Sequence, residues 1–123
     1  MKHKPLLVFI PGTLCTSEMF IPMLADLPLE TKTVAFDKHD NLADMAAEVM
    51  DIVGARPFIP IGFSMGGMVA FELIRMNVTQ LTAMVLLNSN CHADLPARKT
   101  GRHAHLKFAQ TQNIIKTIKW NIQ

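Results

Sequence analysis

Strand-length apolar segments alternate with helical patterns along the first 91 residues, and this alternation narrows the possible folds more than any other feature. Lys4–Ile10 is an apolar run ending at Pro11-Gly12, which predicts a strand, centred on Leu6–Ile10, buried on both faces. Thr16 or Ser17 can cap a helix starting near Glu18, with Phe20, Ile21, Leu24 and Leu27 on one face and Pro28 as its stop. Thr33–Phe36 predicts a short strand. Asn41 or Asp40 then caps a second helix with the stripe Leu42, Met45, Ala46, Val49, Ile52 and Val53, closed by Gly54. Phe58–Ile61, Met65–Met76 and Thr82–Leu87 predict a third strand, a third helix and a fourth strand. Short β-α-β connections of this kind imply an α/β fold: a parallel sheet with helices on both faces.

Beyond residue 91 the pattern breaks. Asp94-Leu95-Pro96-Ala97 is turn-like, and Lys107–Ile122 predicts a basic amphipathic helix with Phe108, Ile114, Ile115, Ile118 and Ile122 on its apolar side. A single domain over 1–123 is expected, with a βα core at 1–91 and a helical tail at 92–123. At 123 residues, half of them hydrophobic and 18% charged, the chain is too apolar for disorder and long enough for one core. No apolar run reaches the length of a membrane span, and no signal-peptide pattern is present. Cys15 and Cys91 are too few for a disulfide framework and point to free thiols in a reducing, cytoplasmic setting.

The formal charge of +2 is unevenly spread: residues 1–94 carry ten acids against six Lys and Arg, and residues 95–123 carry six Lys and Arg without an acid. The tail lacks the aromatic interleaving of a nucleic-acid binder, so no nucleic-acid partner is expected. Its Lys and Trp content permits contact with a membrane surface, but docking of the basic tail on the acidic body is favoured. Cys91-His92 with His103-x-His105 has the residue types of a zinc site without an established spacing, so no metal is expected. No nucleotide-binding glycine motif occurs, and no cofactor is expected.

The chemistry-bearing motif is Gly62-Phe63-Ser64-Met65-Gly66-Gly67, between the third strand and the third helix. This is the G-x-S-x-G pattern of a nucleophile elbow. A serine at a tight strand-to-helix turn is pushed above the sheet edge, the flanking glycines admit close backbone approach, and the helix aims free N–H groups at a developing oxyanion.

Together with Leu7-Val8-Phe9-Ile10-Pro11-Gly12-Thr13-Leu14-Cys15, the elbow resembles the N-terminal half of the α/β-hydrolase family over roughly residues 5–91. The resemblance implies a serine hydrolase that attacks an ester, thioester or similar small acyl substrate through an acyl-enzyme on Ser64. It also implies an oxyanion hole from the backbone N–H groups of Thr13 (with Leu14 as rival) and Met65. Many members carry His-Gly where this chain has Pro11-Gly12. In the family an acid and a histidine follow the nucleophile from loops late in the chain. This sequence stops at Gln123, so the resemblance implies a sheet cut after the fourth strand, a lid-like tail and a triad without its acid and base. The alternative is therefore an inactive member acting as a binding or assembly module. Asn88 stands where some members place the acid; a substitute triad would have to use Asp94 with His92, His103 or His105.

Two further expectations concern the sheet. Pro60 would remove a ladder donor from a central strand. In the family's strand order Thr82–Leu87 becomes an apolar edge, to be covered by a second copy of the chain or by the 107–122 helix; a homo-oligomer is the favoured outcome.

Overall fold

The computed structural model describes residues 4–111, and within them the predicted α/β architecture is present. A four-stranded parallel sheet has the order β2-β1-β3-β4, with β1 at Leu6–Ile10, β2 at Thr31–Thr33, β3 at Phe58–Phe63 and β4 at Val85–Leu87. The α-helices along the described chain are α1 (Ile21–Leu24), α2 (Leu42–Val53), α3 (Met65–Arg75) and α4 (Pro96–Thr111). Contacts divide the chain into Met1–Cys91 and His92–Gln123.

The apolar run of β1 is continuous because both of its faces are covered. Leu6, Val8 and Ile10 point to the layer made by α2 and α3, where they meet Met45, Ala46, Val49, Val69 and Leu73. Leu7 and Phe9 point to the opposite face and pack with Phe20, whose ring centroid lies 5.0 Å from that of Phe9. Asn41 caps α2: its Oδ1 accepts from the Asp44 N–H at 2.9 Å, and its Nδ2 donates to the Asp44 carboxylate at 2.8 Å. Gly54, at φ 60°, ends it.

Several boundaries depart from expectation. The first helix is a 3-10 turn at Ser17–Phe20, capped by Thr16, followed by the short α1. Pro22 has no N–H to return to Glu18, so an α-helix cannot run through this stretch. Ile21 consequently faces outward, 61% exposed, rather than sharing the face of Phe20. The second strand lies two residues earlier than Thr33–Phe36. Phe9 pairs with Thr33 and β1 ends one residue later, so Phe36 has no strand to pair with. In the tail Pro96 opens α4 instead of belonging to a turn; proline at the first helical position has the required φ and gives up an N–H that would be unpaired anyway. Ile114, Ile115, Ile118, Trp120 and Ile122 lie outside the described residues.

Pro60 is fully buried in β3, and the sheet accommodates it by a slip in register. In a parallel strand alternate residues bond to the same neighbour. Phe58 donates to Gln80 O and accepts from Thr82 N–H, and Ser64 donates to Leu87 O, so position 60 also faces the β4 side. Phe58 bridges Leu81, whereas Ile61 pairs with Val85. Three steps along β3 thus match four along its partner, an extra residue within 82–84 that sits opposite the proline. This is why β4 begins at Val85 and not at Thr82.

The helices at the surface carry bonded ion pairs. Glu72 and Arg75 are joined one turn apart on α3, and the Arg75 guanidinium holds the Glu72 carboxyl below its ordinary range. Among the described residues no helix is long and apolar enough to cross a membrane.

Candidate functional site

Ser64 stands between β3 and α3 at φ 52° and ψ −113°, a left-handed backbone that non-glycine residues adopt only when their surroundings impose it. It is the N-cap of α3, yet its side chain makes no capping bond. An N-cap serine ordinarily spends its hydroxyl on the helix's free N–H groups. Here the reversed φ turns the side chain away and leaves both the hydroxyl and the first N–H groups of α3 uncommitted to each other.

The motif glycines are required by contact with backbone. A Cβ on Gly66 would lie 2.1 Å from Ile10 O, and one on Gly62 would lie 2.5 Å from Gly66 C and O and from Gly67 N. Both distances are far inside any real carbon contact, so the turn closes only without side chains at these positions.

The turn after β1 lies beside the elbow. Cys15 N–H donates to Gly12 O at 3.1 Å, with Leu14 at φ 60°, and a Cβ on Gly12 would come within 3.2 Å of the Ser64 Cβ. Gly12 thus lies against Ser64; Thr13, exposed, follows it in this turn, and Met65 is the first residue of α3, directly after Ser64. The Met65 N–H lies in the first turn of α3, where no intrahelical acceptor exists and the dipole favours negative charge.

The backbone of Ser64 is held from β4. Its N–H donates to Leu87 O at 2.9 Å; its carbonyl accepts from Gly67 N–H at 3.0 Å and from the Ser89 hydroxyl at 2.7 Å. Sequence reasoning missed Ser89. Its only sequence signal is a hydroxyl just past the end of a strand neighbouring the elbow strand, the end of an open α/β sheet where ligands bind. Asn88, between Leu87 and Ser89, is exposed and itself left-handed at φ 48°.

The acids and histidines that could serve Ser64 are placed differently. His39, the histidine of the described part of the first unit, is bonded to Glu48 of α2 at 3.0 Å. In the second unit both oxygens of Asp94 are engaged by the Arg102 guanidinium. That bond holds the Asp94 pKa below its ordinary 3.8. The pair's contribution is complete at neutral pH and is lost as pH falls through the lowered pKa. In a carbon-detected titration Asp94 should therefore protonate below 3.8, and Arg102→Gln should return the midpoint toward that value. His103 is exposed and His105 half-buried on α4. Among the described residues no group of three or more His, Cys, Asp or Glu side chains could hold a metal ion.

A cleft of about 480 Å³ opens elsewhere, lined by Lys4, Pro28, Leu29, Glu30, Arg56 and Pro57. These residues precede β1, β2 and β3, at the opposite end of the strands from Ser64. Arg56 and Glu30 pair there at 2.9 Å, which lowers the carboxyl and raises the guanidinium pKa.

No curated protein matches the chain. The family model of the alpha/beta hydrolase fold matches residues 37–114, more than half of the sequence, including the elbow, Leu87 and Ser89 but not the Gly12 turn. With its parallel sheet and the strained serine between β3 and α3, the chain belongs to the α/β-hydrolase family.

Proposed function

We propose that Ser64 is the nucleophile of an acyl-transfer site acting on a small ester, thioester or related acyl compound. The observation that carries this reading is the Ser64 backbone: a strained N-cap serine whose hydroxyl does not cap its own helix. Strain of this kind costs about 1–3 kcal/mol and persists where the surrounding structure enforces it, as at reactive sites. In the reaction the Ser64 oxygen bonds to the carbonyl carbon and the π electrons move to the carbonyl oxygen. The Met65 N–H and the Thr13 or Leu14 N–H would receive that charge. Collapse expels the leaving group with the serine proton, and water releases the acid and restores the hydroxyl.

A second reading, in which the elbow binds acyl compounds without turning them over, is favoured by the commitment of Asp94 to Arg102 and of His39 to Glu48. Without a base the serine hydroxyl is a poor nucleophile at neutral pH.

A fluorophosphonate probe separates both readings from an inert turn. Labelling at Ser64, absent in Ser64→Ala at unchanged melting temperature, is the expected result. Labelling that survives in Ser64→Ala would remove Ser64 from the site. Repeated turnover of p-nitrophenyl acetate, rather than a single slow acylation, would decide for the enzyme over the binding module.

A further inference from the structure

We infer that Ser89 is a positioning residue for the oxyanion donor: its hydroxyl, by holding the Ser64 carbonyl, sets the direction of the Met65 N–H. This rests on the reading of Ser64 as the nucleophile.

The Ser64 carbonyl and the Met65 N–H belong to one peptide group. That group is planar, so its C=O and N–H point in opposite directions and pinning one pins the other. The Ser64 carbonyl accepts two bonds, from Gly67 N–H at 3.0 Å and from Ser89 Oγ–H at 2.7 Å. The first is a bond of the opening turn of α3 and moves with the helix. The second comes from outside it, from the segment after β4, and is the shorter. On the other side of Ser64, its own N–H is tied to Leu87 O at 2.9 Å, two residues before Ser89. The strained residue is thus gripped at both of its peptides by the stretch Leu87–Ser89.

The fold makes room for this contact. A Cβ on Gly67 would lie 2.2 Å from Ser89 Oγ and 2.4 Å from its Cβ, so Ser89 occupies the space that a side chain at position 67 would fill. Gly67 lies outside G-x-S-x-G itself, and this close approach gives its absent side chain a structural reason. Donation to the carbonyl also polarises the peptide and strengthens its N–H as a donor toward an anion.

The test follows the Met65 amide resonance and the rate of fluorophosphonate labelling at Ser64 in the full chain. Ser89→Ala should move the Met65 amide shift and slow labelling roughly threefold to tenfold, the worth of one hydrogen bond, with the Ser64 label still formed. Ser89→Thr, which keeps the hydroxyl, should label at the wild-type rate. Should Ser89→Ala fail to fold, Ser89→Cys, nearly isosteric and a weak donor, takes its place with the same expectations. A wild-type rate in Ser89→Ala would overturn the positioning role, as would equal slowing in the alanine and threonine variants, which would trace the effect to packing around Gly67. Absence of labelling in the wild-type chain would instead overturn the reading of Ser64 as nucleophile, and the two failures are thereby distinct.

Discussion

Gly66→Ala is expected to cost at least about 3 kcal/mol of folding stability, a large share of what a domain of this size possesses. The added methyl would sit 2.1 Å from Ile10 O, 2.7 Å from Ile10 C and 2.9 Å from Pro11 O. All three are backbone atoms at the end of a central strand, so no side-chain rotation relieves the clash. Either α3 moves away from β1 or the end of β1 leaves the sheet, and both would open the contact between the Gly12 turn and Ser64. Urea unfolding followed by circular dichroism measures the loss, and labelling of Ser64 should fall with it. Gly101→Ala is the control. Nothing lies within 4 Å of a Cβ there, and position 101 is inside α4, so alanine should favour the helix by roughly 0.5–1 kcal/mol. A loss below about 1 kcal/mol for Gly66→Ala would mean that the elbow does not close against β1 as described.

Phe20→Ala carries the second large effect, a loss of about 3–5 kcal/mol. One face of the sheet is covered by α2 and α3 together; among the described residues the other is packed by the short stretch around Phe20 and α1, with Leu24, Leu27 and Leu29 only partly buried. Phe20 is 1% exposed and is the buried side chain that the segment Ser17–Leu24 sends into the sheet. Truncating it removes the ring packed on Phe9 and loosens the segment that follows the Gly12 turn. A double-mutant cycle with Phe9→Ala should return a coupling of about 0.5–1.5 kcal/mol, the worth of an aromatic pair beyond its buried area. Zero coupling, or a Phe20→Ala loss under 1 kcal/mol, would show that this face is held by something other than the pair.

Much of the architecture was legible because it depends on short-range patterns. The apolar run of β1, the stripe on α2 with its Asn41 cap and Gly54 stop, and the elbow glycines each declare themselves within a few residues. The errors arose where a neighbour decided. Pro22 cuts the first helix short, so Ile21, which fits the apolar period of its segment, faces outward instead. The position of β2 followed from where β1 stops, not from the β-branched residues of its own segment. Asp94-Leu95-Pro96-Ala97 is turn-like by composition, yet proline as a first residue starts a helix, and α4 begins at Pro96.

What the sequence by itself determined was the element order, the α/β class and the identity of Ser64 as the residue at the strand-to-helix turn, since these rest on local period and on glycine's missing Cβ. Only the tertiary structure decided how β3 and β4 are registered. Pro60 offers no N–H to its neighbour, the extra residue within 82–84 is taken up opposite it, and every later residue of β4 is shifted by one. That slip brings Leu87 O to the Ser64 N–H and the Ser89 hydroxyl to the Ser64 carbonyl. Register is a property of two strands at once: a one-residue shift changes every cross-strand partner while leaving the pattern along each strand unaltered.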